Sequence, residues 1–342
     1  MYLYFCIITL VIATIMHTGD HYSLTEFLVW TRRDIYRLLI MAVVPTVLYA
    51  VGGCSWLTIP WVPIAMIGTA AAFIVGFKNT QTYNRLWEAR QIYGAIVNSS
   101  RSWGIMSRDF VGDKDAQRTL IYRHIAWLTA LRYQLREPRS WENMVKPYNK
   151  EYKKYFTVPE EQTTLEGELK KYLSAEDEAY VLSKKNRAAQ LIAMQSAHIK
   201  TLHQQGLITS LNYVEMENLL VNLYEQQGKC ERIKNFPYPR QFASINLFFI
   251  RLFVFIVPFG LLNEFQKLGA NMIWLNIPFS LVVTWVFTSM ERVGEATENP
   301  FEGSANDVPI SALSRTIEID LRDMLDEKDL PQPLTPVNKI LM

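Results

Sequence analysis

The chain contains few cysteines, and their spacing argues against a structural role for them. Its 342 residues include Cys6, Cys54 and Cys230, which are far apart and odd in number. Such spacing builds neither a disulfide framework nor a zinc knuckle. We therefore expect all three thiols to be reduced or inert, and we predict no metal site.

The chain also lacks a marked charge excess and the usual signatures of enzymes. Its net charge is +2 at pH 7, whereas nucleic-acid binding needs a concentrated basic face. No Walker loop, GxGxxG, GxSxG or HExxH motif occurs. Paired acids such as Glu160 and Glu161 are interpreted as solvated faces. We predict no enzymatic activity, no cofactor and no nucleic-acid partner.

Long apolar runs are what the sequence does contain. They form two pairs, at 38–57 with 59–77 and at 242–262 with 268–290. Each run approaches the roughly 20 residues that cross a bilayer as a helix. The first run is the weakest because Pro45, Gly52 and Gly53 interrupt it. The pattern predicts four transmembrane helices arranged as two hairpins.

Basic residues flank these runs on one side only. Arg32, Arg33 and Arg37 precede the first run, and Lys78 follows the second. The connections 52–60 and 263–267 carry little charge. Because positive residues favour the cytoplasmic side, we expect a multi-pass protein of the cell (inner) membrane. Its short loops would lie outside, and its long middle block and both terminal regions would be cytoplasmic.

These features divide the chain into six parts. They are an N-terminal apolar extension of uncertain status at 1–30, the first transmembrane hairpin at 31–77, a cytosolic helical region at 78–239, the second hairpin at 240–290, a cytosolic turn with an amphipathic helix at 291–325, and a flexible tail at 326–342. The apolar run 1–16 could be a barely spanning fifth segment, an interfacial helix or a misassigned start.

Outside the apolar runs the periodicity is helical, which makes the predicted fold all-α. One apolar face is Ile121, Ile125, Leu128 and Leu131. Further helices are predicted from a capping signal at Ser174 to about Leu202, and from Ser210 through Leu223. An amphipathic helix is expected at 310–325, and the polar segment 138–164 is interpreted as an exposed loop.

The second apolar run continues without a break into a polar helix. On it, Thr69, Phe73 and Phe77 recur every four residues and therefore share one face. Several copies around an axis would stack these side chains into rings, and apolar rings gate ions by dewetting. The alternative is that the phenylalanines face lipid or pack within the bundle, and the spacing does not separate the two.

A single charge, Arg251, lies inside the third run. Charges within membrane helices usually face a bundle interior or water and are paired. We expect a structural ion pair with Glu264 or with a neighbouring subunit; the alternative is a place in an ion pathway.

Three motifs resemble the bestrophin family, and its bacterial branch in particular. They are GFKNTQTYNRLWEARQIYGAIVNSSRSW at 76–103, GKCERI at 228–233 followed by PYPRQF, and ENPFEGSANDVPISALSRTIEIDLRDML at 298–325. The resemblance extends over most of 31–327, with the motifs in the family's order and with its hydropathy. The chain is identified from them as a bestrophin-like protein.

The resemblance implies a homopentameric ion channel with four membrane helices per subunit. Its pore neck would be formed by Thr69, Phe73 and Phe77, although an apolar residue is usual where Thr69 stands. Its cytosolic aperture, counted back from the cysteine of GKCERI, would be Val214.

The third motif is where the family's animal members bind Ca²⁺ with a run of acids. Of the acids in the family's clasp, the equivalent segment 302–307 keeps only Asp307, while Ca²⁺ takes 6–8 oxygen ligands. Calcium gating is therefore not expected, and Glu295, Asn299 and Asp307 are assigned possible structural or gating roles.

The permeant ion is less clearly indicated. Phenylalanine rings present a positive edge, which favours anions such as chloride. A monovalent-cation channel of the same fold and a non-conducting membrane scaffold are the alternatives. Expected partners are the lipid bilayer, permeant monovalent ions and further copies of the chain.

Overall fold

The computed structural model describes residues 21–144 and 146–342, so the apolar run 1–16 lies outside the described residues. As predicted, the fold of the described part is all-helical, and its only β-type pairing is the bridge between Val337 and Ile340. In chain order the helices are α1 Leu24–Ala50, α2 Trp61–Phe110, α3 Lys114–Arg136, α4 Pro147–Tyr152, α5 Pro159–Gln162, α6 Leu165–Leu169, α7 Ala175–Leu182, α8 Arg187–Gln204, α9 Ser210–Asn235, α10 Arg240–Gln266, α11 Asn276–Ala296 and α12 Ile310–Asp323.

The apolar bundle consists of α1, the first half of α2, α10 and α11. Its buried core is small: Leu38, Ile64, Ala71, Val75, Ile250, Phe253, Val254 and Val257. Three helical segments of the described chain are long and apolar enough to cross a membrane, at Ser55–Phe110, Arg240–Gln266 and Ala270–Ala296. These correspond to the second, third and fourth predicted spans.

The first predicted span is shorter than its apolar run. The helix α1 ends at Ala50, and a short 3₁₀ turn at Ser55–Leu57 follows. From Leu38 to Ala50 the helix rises only about 20 Å, against a hydrocarbon core of roughly 30 Å. Gly53 ends the run with a φ of 66°, a left-handed conformation that glycine adopts at little cost.

The polar bundle consists of the second half of α2 with α3, α8, α9 and α12. Its core holds the largest fully buried side chains of the described chain, including Trp103, Trp127 and Tyr93. All four predicted face residues of α3 are buried. The helix α2 joins the two bundles without a break; at 50 residues it is about 75 Å long.

Three local predictions were wrong. The stretch from Ser174 to Leu202 is two helices, α7 and α8, although Ser174 does accept the amide of Asp177 as the predicted cap. The segment 138–164 is not an exposed loop, because it contains α4 and α5 and buries Phe156 and Val158.

The third correction concerns the tail. Residues 326–342 were expected to be mobile, but Ile340, Leu341 and Met342 are buried. Ile340 and Met342 pack with Phe156 and Val158. The Met342 carbonyl accepts the amide of Ala312 at 2.7 Å, so the tail is held against the start of α12.

Candidate functional site

The predicted stripe on α2 lies on a face that the chain itself leaves uncovered. Phe73 is 77% exposed and Phe77 49%, and Thr69 is also exposed. The Thr69 hydroxyl donates back to the Ala65 carbonyl at 3.0 Å, which satisfies it within the helix. The structure therefore brings the three residues onto one exposed face of a continuous helix.

The opposite face of the same segment makes the packing contacts. Ala71 and Val75 are fully buried, and Gly68 lies directly against the ring of Phe253 on α10. Helices pack this closely in membranes through small residues. The side chains that anchor α2 are thus distinct from the exposed stripe.

A buried ion pair marks the point where α2 leaves the apolar bundle. The Lys78 ammonium lies 2.5 Å from the Glu291 carboxylate of α11, and both side chains are buried. The amide of Asn246 on α10 donates to the second oxygen of Glu291. The sequence analysis did not predict this network. The signal that could have indicated it is that Lys78 directly follows one apolar run and Glu291 directly follows another.

Val214 occupies the first turns of α9 and is 51% exposed. Leu211 and Val221, on the same side of the helix, are also exposed, whereas Met216 and Leu220 are buried. The predicted aperture residue is therefore part of an apolar stripe on α9 that the chain leaves uncovered.

Glu295, near the end of α11, bonds to the segment that was expected to be a loop. Its carboxylate accepts from the Lys146 ammonium at 2.7 Å and from the Tyr148 hydroxyl at 2.6 Å. The contacts tie the end of α11 to the start of α4. Both partners lie in the segment 138–164, which explains why the sequence did not indicate them.

Asn299 and Asp307 belong to a buried turn, 298–308, between α11 and α12. Asn299 donates to the Glu302 carboxylate at 3.3 Å. Asp307 accepts from the Ser304 hydroxyl at 2.6 Å, the Gly303 amide at 2.6 Å and the Arg136 guanidinium at 3.1 Å. Gly303 has a φ of 89°, a backbone conformation that glycine adopts readily.

Asn143, which sequence reasoning missed, connects Glu295 to the turn. Its backbone amide donates to Glu302 at 2.8 Å, and its side-chain amide donates to the Glu295 carbonyl at 3.0 Å. The three predicted residues Glu295, Asn299 and Asp307 therefore do not form one shared site. They hold one connection between the bundles through separate contacts.

Burial controls the electrostatics of this turn. It raises the pKa of Glu302 well above its usual value, and the nearby charge of Asp307 adds to the effect. Burial also raises the pKa of Asp307, although Arg136 opposes that shift. Both carboxyl groups already accept hydrogen bonds from the protein, so their geometry is that of a structural turn.

Two predictions about charged side chains were wrong. Arg251 does not pair with Glu264, because a separation of 13 positions places the two about 20 Å apart along α10; Glu264 pairs with Lys267 at 2.8 Å. Glu160 is not a solvated acid either. It is buried and lies 2.6 Å from Arg132.

Comparisons with known proteins give a consistent result. The model of a family described as "Bacterial/Fungal Bestrophin protein" matches residues 31–323. The voltage-dependent anion channel-forming protein YneE of Escherichia coli is 26% identical over 275 residues, which is 80% of each chain. The voltage-dependent anion channel-forming protein mll4386 of Mesorhizobium japonicum is 22% identical over 277 residues, covering 81% of this chain and 78% of that protein.

A solved structure shares the fold. The crystal structure of a bacterial bestrophin homologue from Klebsiella pneumoniae has a TM-score of 0.74 and 23% sequence identity, over 87% of this chain and 99% of that one. The similarity extends through both bundles.

Proposed function

This chain belongs to the bacterial and fungal bestrophin family and is a membrane protein, and we propose that it forms a channel for monovalent anions such as chloride. The observation that carries the proposal is the stripe of Thr69, Phe73 and Phe77 on an unbroken helix. Its residues are exposed while the opposite face is packed. Relatives of the chain are named voltage-dependent anion channel-forming proteins.

In this proposal five copies surround a central pore. The α2 stripes form a neck, and the exposed stripe of α9 with Val214 forms a second constriction further along. An apolar neck admits ions only when water enters it, which gives a gate without a moving plug. The phenyl edges of Phe73 and Phe77 present partial positive charge to the pore, which favours anions.

The same proposal includes the membrane topology. The helix α1 would complete a set of four spans, with local thinning of the bilayer around its short apolar part, and would place Arg32, Arg33 and Arg37 at the cytoplasmic surface. The polar bundle and both terminal regions would then lie in the cytoplasm and the short loops 52–60 and 263–267 outside the inner membrane.

The decisive experiment is recording from the purified protein in planar bilayers under a potassium chloride gradient. The reversal potential should lie towards the chloride equilibrium potential. A reversal potential towards potassium would identify a cation channel of the same fold. Absence of current from assembled protein would contradict the channel itself.

The neck assignment has its own test, with a control one residue away. Replacing Phe73 with alanine removes apolar surface from each of the five subunits around the neck, so conductance or open probability should rise. Ile74→Ala, about 100° around the helix, should leave flux nearly unchanged. Equal effects of the two substitutions would show that the stripe packs against other helices.

Val214 tests the second constriction. Val214→Ala should change the relative permeability among ions of different size more than it changes gating.

Calcium should not gate this channel. The carboxylates of Glu302 and Asp307 accept bonds from Asn143, Gly303 and Ser304, so few oxygens are free for a cation that takes 6–8. Open probability should be constant from nanomolar to millimolar Ca²⁺ in the same bilayers. Steep activation in that range would contradict this interpretation of the turn.

A further inference from the structure

Beside Arg251 lies a cavity of about 530 Å³ between α1, α10 and α11, near the junction of the apolar and polar bundles. Its walls are of two kinds. Basic groups come from Arg33 and Arg37 of α1 and Arg251 of α10, and apolar side chains come from Leu38, Met41 and Val254. A cavity with a cationic part and an apolar part matches an amphipathic, anionic ligand.

The acidic groups of the cavity are already neutralised by the protein. Asp34 pairs with Arg292, Glu291 with Lys78 at 2.5 Å, and Glu295 with Lys146 at 2.7 Å. Arg33 is paired as well, with Glu151 of α4.

Two arginines are left without such compensation. Within the described residues, Arg251 makes no ion pair, and Arg37 only approaches Asp34 at 4.0 Å, an acid that Arg292 already neutralises. Arg37 is 77% exposed. The cavity therefore carries excess positive charge where α1 and α10 face outwards.

The contacts between helices place these two arginines at similar heights. Asp34 contacts Arg292 and Asn246 contacts Glu291, so Asp34 and Asn246 lie level with adjacent residues of α11. The helices α1 and α10 run in the same direction, since Tyr49 and Gln266 bond at their far ends. Arg37 and Arg251 then differ by about 4.5 Å in height, and both line the same cavity.

An uncompensated charge on a membrane helix is costly unless a partner is supplied. Basic pockets between membrane helices on the cytoplasmic side bind anionic lipid headgroups. We propose that this cavity binds an anionic phospholipid of the cytoplasmic leaflet. Arg37 and Arg251 contact its phosphate, and Leu38, Met41 and Val254 contact its acyl chain. The inference uses the membrane orientation proposed above but not ion conduction.

Native mass spectrometry of the purified full-length protein tests the proposal, with phosphatidylglycerol and phosphatidylcholine as probes. Phosphatidylglycerol should bind more tightly than phosphatidylcholine. Replacing both arginines, Arg37→Gln and Arg251→Gln, should weaken phosphatidylglycerol binding by about 25-fold, since each basic group near a membrane contributes about fivefold. Phosphatidylcholine binding should change little.

The control variant is Arg108→Gln with Arg118→Gln, which removes the same charge from exposed positions on the polar bundle. It should retain wild-type lipid binding. If the double cavity variant assembles poorly, Arg37→Gln alone, at a highly exposed position, should still weaken binding about fivefold. The conservative Arg251→Lys should retain most of the affinity.

Several results would overturn the proposal. They are equal binding of both lipids, equal losses in the cavity and control variants, and unchanged binding after both arginines are replaced. Displacement of the lipid by millimolar inorganic phosphate would instead identify a free-anion site. Dissociation of the oligomer with lipid binding intact would show that Arg251 pairs with a neighbouring subunit. None of these outcomes depends on ion flux, so the channel proposal is tested separately.

Discussion

The apolar and polar bundles share one helix, α2, but they differ in whether their large side chains are buried. In the polar bundle the large side chains Trp103, Trp127 and Leu131 are fully buried. In the apolar bundle Phe73, Phe248 and Val282 are more than half exposed. The polar bundle is organised around a buried core that water surrounds. The apolar bundle turns much of its apolar surface outwards, as expected where lipid is the solvent.

Close packing in the apolar bundle is achieved in a different way. Gly260 lies against Ile64 and Trp61, and Gly294 lies against Asn79. Small residues let helix backbones approach where burying apolar area against lipid gives little free energy. The same helical periodicity therefore occurs in contact with water and in contact with lipid. An exposed large apolar side chain is unfavourable in water, whereas in lipid it is expected.

Buried charge sits mainly in the polar bundle and at the junction. Arg136 pairs with Asp307, and Lys234 with Glu142. Lys78 and Glu291 form the pair that lies between the bundles. Removing one member of such a pair leaves the other charged and buried.

The largest effect is therefore expected at the junction. Lys78→Met should lower the free energy of unfolding by about 3–5 kcal/mol, the usual result of leaving one buried charge alone. Denaturant unfolding in detergent, followed by tryptophan fluorescence, measures it. The control Lys170→Met removes an exposed pair with Glu166 and should cost at most about 1 kcal/mol. Similar losses in both variants would contradict the structural role of the junction.

A second change compares the two kinds of apolar side chain directly. Leu131→Ala in the polar core should cost about 2–5 kcal/mol, because it leaves a cavity. Phe248→Ala, at a position 63% exposed, should change stability by less than about 0.5 kcal/mol. The same unfolding assay compares them. A large loss for Phe248→Ala would show that another copy of the chain covers this part of α10.

Between pH 7 and pH 5, the smallest effects are expected from titration, and they belong to the polar bundle. His124 is fully buried, and burial lowers its pKa to about 3 from an ordinary value of 6.5. Between these values the unfolded chain binds the extra proton and the folded chain does not. Stability should therefore fall as the pH drops below 6.5, by about 1.4 kcal/mol per pH unit and so by about 2 kcal/mol at pH 5 from this residue.

Glu302 should act in the opposite direction. Its pKa is raised from 4.5, chiefly by burial, so the folded chain holds the proton at a pH where the unfolded chain has lost it. Its contribution therefore increases stability as the pH falls towards 4.5. Unfolding at pH 5 and pH 7 should show a smaller acid loss for His124→Gln than for wild type, and a larger one for Glu302→Gln. The reverse order would contradict both burial assignments.

Much of the architecture could be predicted because it is encoded locally. The face of α3 follows from apolar residues at helical spacing, and all four predicted residues are buried. The stripe of Thr69, Phe73 and Phe77 follows from the same geometry. The three residues share one face, as their spacing requires, while the proposed place of that face around a pore depends on other copies of the chain.

Other features could not be predicted because their partners are far away in sequence. Glu160 resembled a solvated acid until α3 brought Arg132 against it. The segment 138–164 and the tail resembled loops because most of their residues are polar. Their few buried apolar residues, such as Phe156 and Met342, contact each other's cluster only in the folded chain.

The sequence by itself determined the long helices, the two solvents they face and the family, since each depends on the order and spacing of neighbouring residues. Only the tertiary structure decided which charges are compensated. Lys78 reaches Glu291 across 213 positions, and Asn143 reaches Glu302 across 159, while Arg37 and Arg251 face a cavity whose acids already have partners. The physical reason is that the free energy of a charge depends on what surrounds it in space, and helix packing brings those surroundings from distant parts of the chain.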